Sequence, residues 1–371
     1  MKVCLDTDTF RSAINKILTV VDKRNSRPIL TYALIKAEGD TLQISATDLE
    51  VSAKVCVQAN VNESGTFCVN AKNIFDILRE LPDGEVHLEI IEGENTLKLF
   101  FKDIHYSLLV YKNEDFPQLV FHNENNQVQM NSQGLLDVIS KTSYAISTDE
   151  TRLYLNGIYL QERDSKLRAV ATDGHRLSMV DTEVDVNGID SLTNGIIIPK
   201  KGVYELKKLA EANPGAEIKI SLDDSFLYAN SENNYYLSVR LIAREYPKYQ
   251  AVIPSKTSFL LTADKDLLFD AIRRIKIMSN EKSNGVRIHL KDKEMTITAN
   301  HPSLGDASEK LPVDYNGKDM EIGFNAKYLI DTLSIFDNGE VLMELNNELS
   351  PVIIRSSNSP SHMGIIMPLK L

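Results

Sequence analysis

The chain alternates segments of helical and of strand periodicity along its whole length. Residues 8–24 carry apolar side chains at the spacing of one helix face, namely Phe10, Ile14, Ile17, Leu18 and Val21. Further helices are predicted at 72–80, 134–145, 200–212, 264–278 and 326–336, and extended segments include 30–37, 41–48 and 51–57. Short strands and turns with helices between them predict an α+β fold with antiparallel sheets.

The same order of elements occurs three times, at a period of about 125 to 130 residues. Ala46-Thr47-Asp48 recurs as Ala171-Thr172-Asp173 and again, in part, as Ala299-Asn300. Asp115-Phe116-Pro117 recurs as Glu245-Tyr246-Pro247. Polar connectors lie at 121–127 and 254–257, as expected of domain boundaries. We therefore predict three domains of one fold, spanning 1–125, 126–254 and 255–371.

One turn, at residues 170–177, combines several reactive side chains. Asp173-Gly174 is typical of a tight turn, so the segment predicts a hairpin corner that projects His175 and Arg176. A carboxylate beside an imidazole is a possible acid/base pair, which makes a hydrolase using Asp173 and His175 the alternative function. The seven histidines have no HExxH spacing, and the chain lacks a GxSxG elbow, a phosphate-binding loop and a dinucleotide fingerprint. These observations argue against an enzyme and against direct use of ATP.

The charge of the chain is unevenly placed. With 52 acidic and 41 basic side chains the net charge is −11, which taken alone argues against a nucleic-acid partner. With the helix near 264–278 counted over residues 265–278, however, the six predicted helices sum to +6, which leaves −17 for the rest of the total of −11. Cationic helices on one side of an otherwise anionic protein would attract phosphates locally.

Cysteine usage and hydropathy narrow the class of protein further. The three cysteines, Cys4, Cys56 and Cys68, are odd in number and lack CxxC spacing, which argues against a disulfide scaffold and against a zinc site. We expect no metal and no cofactor. No apolar run approaches the roughly 18 residues of a membrane helix, and the first residues do not form a signal peptide. A cytoplasmic protein without a membrane partner is therefore expected.

Five separated stretches resemble one known family. They are Ala171 to Leu177, Ile198 to Gly202, Ser279 to Arg287, Met320 to Asn325 and Met367 to Leu371. In these stretches, and in order over its whole length, the chain resembles the bacterial beta sliding clamps, the processivity subunits of the replicative DNA polymerase III.

The resemblance implies a fold and a non-enzymatic function. Each chain would hold three DNA-clamp domains, with two helices on one face of antiparallel sheets, and would form half of a closed ring. A head-to-tail homodimer would encircle double-stranded DNA and confer processivity on the polymerase. An ATP-dependent clamp loader would open the ring, because the chain has no visible means of using ATP. Other polymerases and repair proteins would dock through short apolar motifs.

The resemblance also implies three sets of site residues. A pocket for partner peptides is expected at Leu155, Thr172, Gly174, His175, Arg176, Leu177, Pro247, Val252, Tyr328, Ile365, Met367, Pro368 and Leu369. DNA contacts are expected at Arg24, Tyr154, Lys200 and Lys201. Asp149 and Leu153 depart from the polar amide and second tyrosine of the family pattern, which weakens the 149–154 loop as a DNA contact. The dimer interface is expected at Tyr106, Leu108, Ile277, Met278, Asp306 and Glu309.

Overall fold

The computed structural model describes residues 1–21, 27–91, 95–121, 127–184 and 190–370. Within these residues the chain forms seven α-helices. They are α1 (Thr7–Leu18), α2 (Ala71–Glu80), α3 (Ser132–Ser143), α4 (Asp190–Asn194), α5 (Lys200–Glu211), α6 (Lys265–Lys276) and α7 (Ala326–Leu333). Two of them fall in each predicted copy at the expected places, and the short helix α4 is an addition that the sequence pattern did not predict.

The strands of the three copies follow one another between the helices. In the first copy they are β1 (Lys2–Asp6), β2 (Tyr32–Glu38), β3 (Thr41–Thr47), β4 (Val51–Gln58), β5 (Asn60–Glu63), β6 (Gly65–Asn70), β7 (Glu85–Glu89), β8 (Thr96–Phe101) and β9 (Ile104–Tyr111). In the second they are β10 (Gln127–Asn131), β11 (Gly157–Arg163), β12 (Lys166–Thr172), β13 (Arg176–Thr182), β14 (Ile196–Pro199), β15 (Glu217–Leu222), β16 (Phe226–Ser231) and β17 (Tyr235–Arg240). In the third they are β18 (Phe259–Asp264), β19 (Gly285–Lys291), β20 (Glu294–His301), β21 (Gly305–Pro312), β22 (Asp314–Tyr315), β23 (Met320–Asn325), β24 (Glu340–Leu345), β25 (Val352–Ser356) and β26 (Ser359–Ile366).

The helices begin where a polar side chain accepts a backbone hydrogen bond. The Asp6 carboxylate accepts from the Thr9 N–H at 2.9 Å, and the Asn70 side chain accepts from Asn73 at 3.0 Å. Asp264 caps α6 in the same way, because its carboxylate accepts a hydrogen bond from the Leu267 N–H at 2.9 Å. Such caps satisfy amides that have no partner within the helix, so a short polar residue before an apolar-periodic segment marks the start of these three helices.

Helix α1 ends earlier than its periodicity predicts. The helix predicted over 8–24 stops at Leu18, although Val20 beyond it is still buried. The carbonyl of Lys16 accepts hydrogen bonds from the Lys208 ammonium and the Tyr235 hydroxyl, both at 3.1 Å. Contacts from residues 192 and 219 positions away thus reach the last turn of the helix, and apolar spacing alone cannot reveal them.

Antiparallel pairing joins the strands of neighbouring copies. Strand β17 pairs with β4, with Tyr235 opposite Val55, so strands of the first and second copies share a sheet. Strand β13 pairs with β26, with Leu177 opposite Ile365, which joins the second and third copies in the same way. The contacts divide the chain into two compact units. One holds the described residues up to Leu136 together with 201–241, and the other holds 137–184, 192–200 and 242–370.

The division cuts through the second copy, because its two groups of strands pair with different neighbours. The predicted domain limits at 125 and 254 therefore stay a prediction. The extended segment predicted over 30–37 begins at Tyr32, because Pro28 starts a 3₁₀ turn over Pro28–Thr31. No helix in the described part of the chain has both the length and the apolar character needed to cross a membrane.

Candidate functional site

An apolar cavity of about 260 Å³ opens beside the turn between β12 and β13. All of its walls come from the unit that contains residues 137–184 and 242–370. The lining residues are Tyr154, Leu155, Thr172, Gly174, Arg176, Leu177, Pro247, Lys248, Tyr249, Val252, Ile365 and Met367. Most of these side chains are aliphatic or aromatic, with a few polar groups at the turn, so the cavity suits apolar side chains of a binding partner.

The turn beside the cavity is held by its own side chains. One carboxylate oxygen of Asp173 accepts from the N–H groups of His175 at 2.9 Å and Arg176 at 3.0 Å. The Thr172 hydroxyl donates to the Arg176 carbonyl at 2.6 Å. Gly174 has φ +90°, and an added Cβ would lie 2.9 Å from a guanidinium nitrogen of Arg152. The positive φ and the lack of room for a Cβ atom together explain why glycine follows Asp173 here.

Arg176 is buried, which corrects the prediction that the corner projects it. Only 8% of its surface is exposed. Its guanidinium pairs with Asp331 at 2.6 Å and with Asp173 at 3.1 Å. The same group lies 4.6 Å from the centre of the Tyr328 ring and 5.4 Å from that of Tyr144. A buried guanidinium needs such partners, and these two carboxylates and two rings supply them.

The acid/base pair considered for a hydrolase is not formed. Asp173 directs its second carboxylate oxygen to Arg176, at 3.1 Å. The His175 ring stacks instead against Tyr328, with ring centres 6.3 Å apart and planes 19° apart. Across the residues with described positions, no hydrogen bond or ion pair joins the Asp173 carboxylate to the His175 imidazole. The expectation of a catalytic pair therefore has no support.

The floor of the cavity is a rigid sheet and a buried apolar cluster. Strands β13 and β26 place Arg176 opposite Ile366, and the Met367 N–H donates to the His175 carbonyl at 2.9 Å. Behind them a cluster includes Val170, Leu177, Ile197, Ile353, Met363 and Ile365. Because close-packed interiors resist deformation, the cavity is a preformed feature of this unit.

Aromatic residues belong to the apolar cluster behind the cavity or pack against it. The rings of Tyr159 and Tyr246 stack with centres 4.6 Å apart and planes 8° apart. Burial raises the pKa of Tyr246 well above its usual value, so the phenol stays neutral at physiological pH. Tyr249 belongs to the same apolar cluster and reaches the cavity itself.

The structure brings nine of the thirteen expected pocket residues together around one cavity. The other four, His175, Tyr328, Pro368 and Leu369, do not line it. His175 and Tyr328 adjoin it through the ring stack, and Leu369 is held by its N–H bond to the Gly323 carbonyl at 2.8 Å. Sequence reasoning missed Lys248 and Tyr249, although both lie between the expected Pro247 and Val252. Tyr154, which the sequence analysis assigned to DNA, also lines the cavity, and its contact with DNA stays a prediction.

The lysines expected to contact DNA differ in exposure and in whether an acidic side chain already pairs with them. Lys200 is exposed at the start of α5, and the described residues provide its ammonium with no ion pair. Lys201 instead pairs with Asp48 and donates to the Val20 carbonyl at 3.2 Å. Arg24 lies outside the described residues.

The loop at 149–154 is fixed by its aspartate. Asp149 accepts from the hydroxyl of Thr151 at 2.6 Å and from its N–H at 2.9 Å, and it pairs with Arg152 at 2.8 Å. These hydrogen bonds, those from Thr151 first, lower the pKa of Asp149 to about 2. The loop therefore carries a persistent negative charge that already has partners.

Four of the six residues expected at a dimer interface lie on two strands, β9 and β21, and the other two follow helix α6. Tyr106 and Leu108 are half-buried on β9, which pairs with β8 over residues 104–109 and with β6 only at its last two residues. Strand β21 is the last strand of its sheet and carries exposed Asp306. Ile277, just after α6, is 74% exposed.

Two further interface candidates are partly engaged within the chain. Glu309 pairs with Arg274 at 2.5 Å, and this contact lowers the pKa of the Glu309 carboxyl. Met278 is half-buried and packs on the apolar cluster of the third copy. Part of the predicted interface is therefore committed to intramolecular contacts.

Comparison with known proteins covers the chain from end to end. Residues 1–120, 129–248 and 250–370 match the models of the N-terminal, central and C-terminal domains of the DNA polymerase III beta subunit. The beta sliding clamp of Caulobacter vibrioides is 32% identical over 378 residues, and that of Escherichia coli K12 is 30% identical over 373, with both chains covered completely in each case.

Solved structures agree with the sequence matches. A DnaN sliding clamp (DNA polymerase III subunit beta) from Bartonella birtlesii, bound to griselimycin, superposes with a TM-score of 0.95 at 31% identity. The DNA polymerase III subunit beta from Pseudomonas aeruginosa gives a TM-score of 0.94 at 29% identity. Both comparisons cover the whole of each chain. The three repeated domains, their order and the paired antiparallel sheets thus place the chain in the family of DNA polymerase III beta subunits, the beta sliding clamps.

Proposed function

We propose that two copies of this protein close head to tail into a ring around double-stranded DNA and hold the replicative polymerase on its template. The observation that carries the proposal is the match of all three domains, in order and at full length, to beta sliding clamps. The protein acts by encircling DNA and not by catalysis, because its family is a non-catalytic processivity factor. Tight binding to one sequence would slow a protein that has to slide.

DNA is held through phosphates and not through base edges. Exposed helix lysines such as Lys200 neutralise phosphate charge whatever the sequence, and displaced counterions make this attraction weaken with salt. The acidic excess elsewhere in the chain disfavours DNA on other surfaces. A ring cannot open without work, so an ATP-dependent loader places it on DNA. The site of action is the cytoplasm, where a bacterial polymerase replicates the chromosome.

The ring closes where two exposed strand edges meet. Within the part of the chain that the structure describes, residues 104–109 of β9 pair with one neighbouring strand only, and so does β21. Pairing these two edges from different copies would extend a sheet across the interface. Leu109, 77% exposed, and Ile277, 74% exposed, are large apolar side chains that such an interface would cover. Ile277→Asp is therefore expected to yield monomers in sedimentation velocity at micromolar concentration. Leu267→Asp, on the exposed start of α6, serves as the control and remains dimeric. A dimeric Ile277→Asp protein would exclude this surface.

The apolar cavity beside Gly174 is the docking site for partner proteins. A volume of about 260 Å³ is small for a metabolite site, since such pockets typically span about 300–1,000 Å³, but it accepts one or two anchoring side chains of a peptide. Leu and Phe anchors of the replicative polymerase subunit, the loader, other polymerases and repair proteins would insert between Leu177, Val252 and Met367. One pocket shared by many partners makes them compete for the ring.

Peptide binding tests the pocket directly. A fluorescein-labelled peptide with neighbouring Leu and Phe residues is titrated with the full-length protein. Met367→Ala is expected to weaken binding about tenfold, the effect of losing one buried apolar anchor contact of about 1.4 kcal/mol. Met367 is partly exposed, so the fold survives the change. Leu349→Ala removes an exposed leucine outside the cavity and keeps the original affinity. Equal affinities for the two variants would place the peptide elsewhere.

A further inference from the structure

Three potential metal ligands of different chemistry converge on one face of the first copy. Cys4 lies on β1 directly opposite His87 on β7, and Glu85 shares the face of His87 because alternate residues of a strand point the same way. One ligand atom from each of the three side chains lies within 4.8 Å of the other two. Among the described residues, no second group of three such side chains is this close.

We infer that Cys4, Glu85 and His87 form a binding site for a zinc-like divalent transition-metal ion. A thiolate, an imidazole and a carboxylate are the three side-chain ligands that zinc uses, at about 2.0 to 2.3 Å from the metal. Tetrahedral bonds of those lengths hold the ligand atoms about 3.5 Å apart. The His87 Nε2 and Glu85 Oε1 atoms are already 3.1 Å apart. Small side-chain rotations of the two exposed residues would therefore complete the site.

The mixture of ligands selects the class of metal. Sulfur and imidazole nitrogen favour zinc, cobalt and nickel ions, whereas magnesium and calcium ions prefer oxygen ligands alone. Asp40 and Asn60 line the depression next to Cys4 and Glu85, so an oxygen or a water molecule can take the fourth position. The site is thus open on one side, with room for a ligand that the three strand residues do not supply.

The alternative role for Cys4, a reactive or redox-sensing thiol, fits the structure poorly. Such cysteines are exposed and have a lowered pKa. Cys4 is buried, and burial together with the neighbouring Glu85 carboxylate raises the pKa of its thiol to about 12. The thiol is therefore a weak nucleophile unless a cation takes the place of its proton, as metal binding requires.

A bound ion would fasten the first strand of the chain to the sheet. Cys4 and Glu85 are far apart in sequence, so the ion closes a long loop between β1 and β7. A ligand that binds only the folded state stabilises it by mass action. The site therefore links metal supply to the stability of the first copy, independently of DNA or peptide binding.

Cobalt binding distinguishes thiolate ligation from adventitious binding to surface groups. Untagged full-length protein, stripped with a chelator, is titrated with Co²⁺ and then with Zn²⁺. We expect one equivalent to bind per chain, with a sulfur-to-cobalt charge-transfer band that Zn²⁺ removes. Cys4→Ser abolishes the band, and His87→Ala weakens Co²⁺ binding at least tenfold. His105→Ala is the matched control, because this exposed histidine lies on the same sheet face, two strands away, beside Phe100.

Thermal unfolding supplies a second measurement. Zn²⁺ is expected to raise the Tm of the wild-type protein and of His105→Ala but not that of His87→Ala. Because His87 is exposed, its replacement leaves the fold intact even if Cys4→Ser proves unstable. The inference is overturned if wild-type protein gives no charge-transfer band. It is equally overturned if His87→Ala binds Co²⁺ as tightly as the control.

Discussion

The buried histidine of strand β26 predicts a specific loss of stability in acid. His362 is fully buried, with its Nε2 atom 2.9 Å from the Ser178 hydroxyl and its ring 4.9 Å from that of Phe336. Burial, followed by the positive charge of Lys141, lowers the pKa of His362 to about 4 from a usual 6.5, although the Lys141 backbone and the Asp137 carboxylate act in the opposite direction. The folded protein therefore keeps this imidazole neutral down to about pH 4.

The direction of the effect follows from the two pKa values. Below pH 6.5 the unfolded chain takes up a proton at His362 that the folded chain refuses, so the free energy of unfolding falls with pH until the folded pKa near 4 is reached. The loss reaches about 2 kcal/mol near pH 5 and at most about 3 kcal/mol, because each unit of pKa shift corresponds to about 1.4 kcal/mol. Above pH 6.5 the residue contributes no pH dependence.

Urea denaturation of wild type and His362→Gln measures this contribution. The protein concentration is held constant, because dimerisation would otherwise change the apparent stability. The difference in unfolding free energy between the two proteins should shrink, or change sign, by about 2 kcal/mol between pH 7.5 and pH 5. His105→Gln, an exposed histidine, should follow wild type across the range. Parallel curves for wild type and His362→Gln would refute the assignment.

Three further predictions concern the turn and the helix lysines. Arg176→Met should lower the free energy of unfolding, measured in urea, by about 3 kcal/mol, because it removes the partner of the Asp331 carboxylate. A loss below 1 kcal/mol would mean that this ion pair contributes little to stability. Gly174→Ala should lower the free energy of unfolding by about 1 kcal/mol, because alanine is strained at a positive φ, and should also weaken peptide binding. Wild-type stability together with wild-type peptide affinity would contradict this reasoning. Lys200→Ala should lower the salt dependence of DNA binding by about one released counterion. Lys201→Ala should mainly lower the free energy of unfolding, because Lys201 pairs with Asp48. The reverse pattern would make Lys201 the DNA contact.

Local periodicity predicted most of the fold. Apolar spacing predicts six helices and the extended segments between them along the chain. The recurrence of short segments such as Ala171-Thr172-Asp173 predicts three similar copies. The misses arise from contacts between distant residues. Near the end of helix α1, Lys208 and Tyr235 both donate hydrogen bonds to the Lys16 carbonyl. Arg176 points inward because Asp331 and Tyr328, which lie on another element, supply its partners.

The candidate sites, like the fold, were predicted in part from the sequence and in part are visible only in the folded chain. Resemblance to the family located most of the cavity, but only the folded chain shows that Tyr154 faces it and that Lys201 is committed to Asp48. The number and spacing of the cysteines argued against a metal site. Cys4 and His87 come together only through the pairing of β1 with β7, which the sequence pattern does not show. Sequence patterns detect ligands on one element far better than ligands brought together by a sheet.

Topology offers the most direct test of the central claim that this protein encircles DNA. The full-length protein is placed on a nicked circular duplex by its loader, the loader is removed, and the circle is then cut once. A ring slides off the new ends, so we predict stable retention on the circle and rapid loss after linearisation. Retention on the linear molecule at the level seen on the circle would contradict the account, because it would show that the protein holds DNA by contact and not by enclosure.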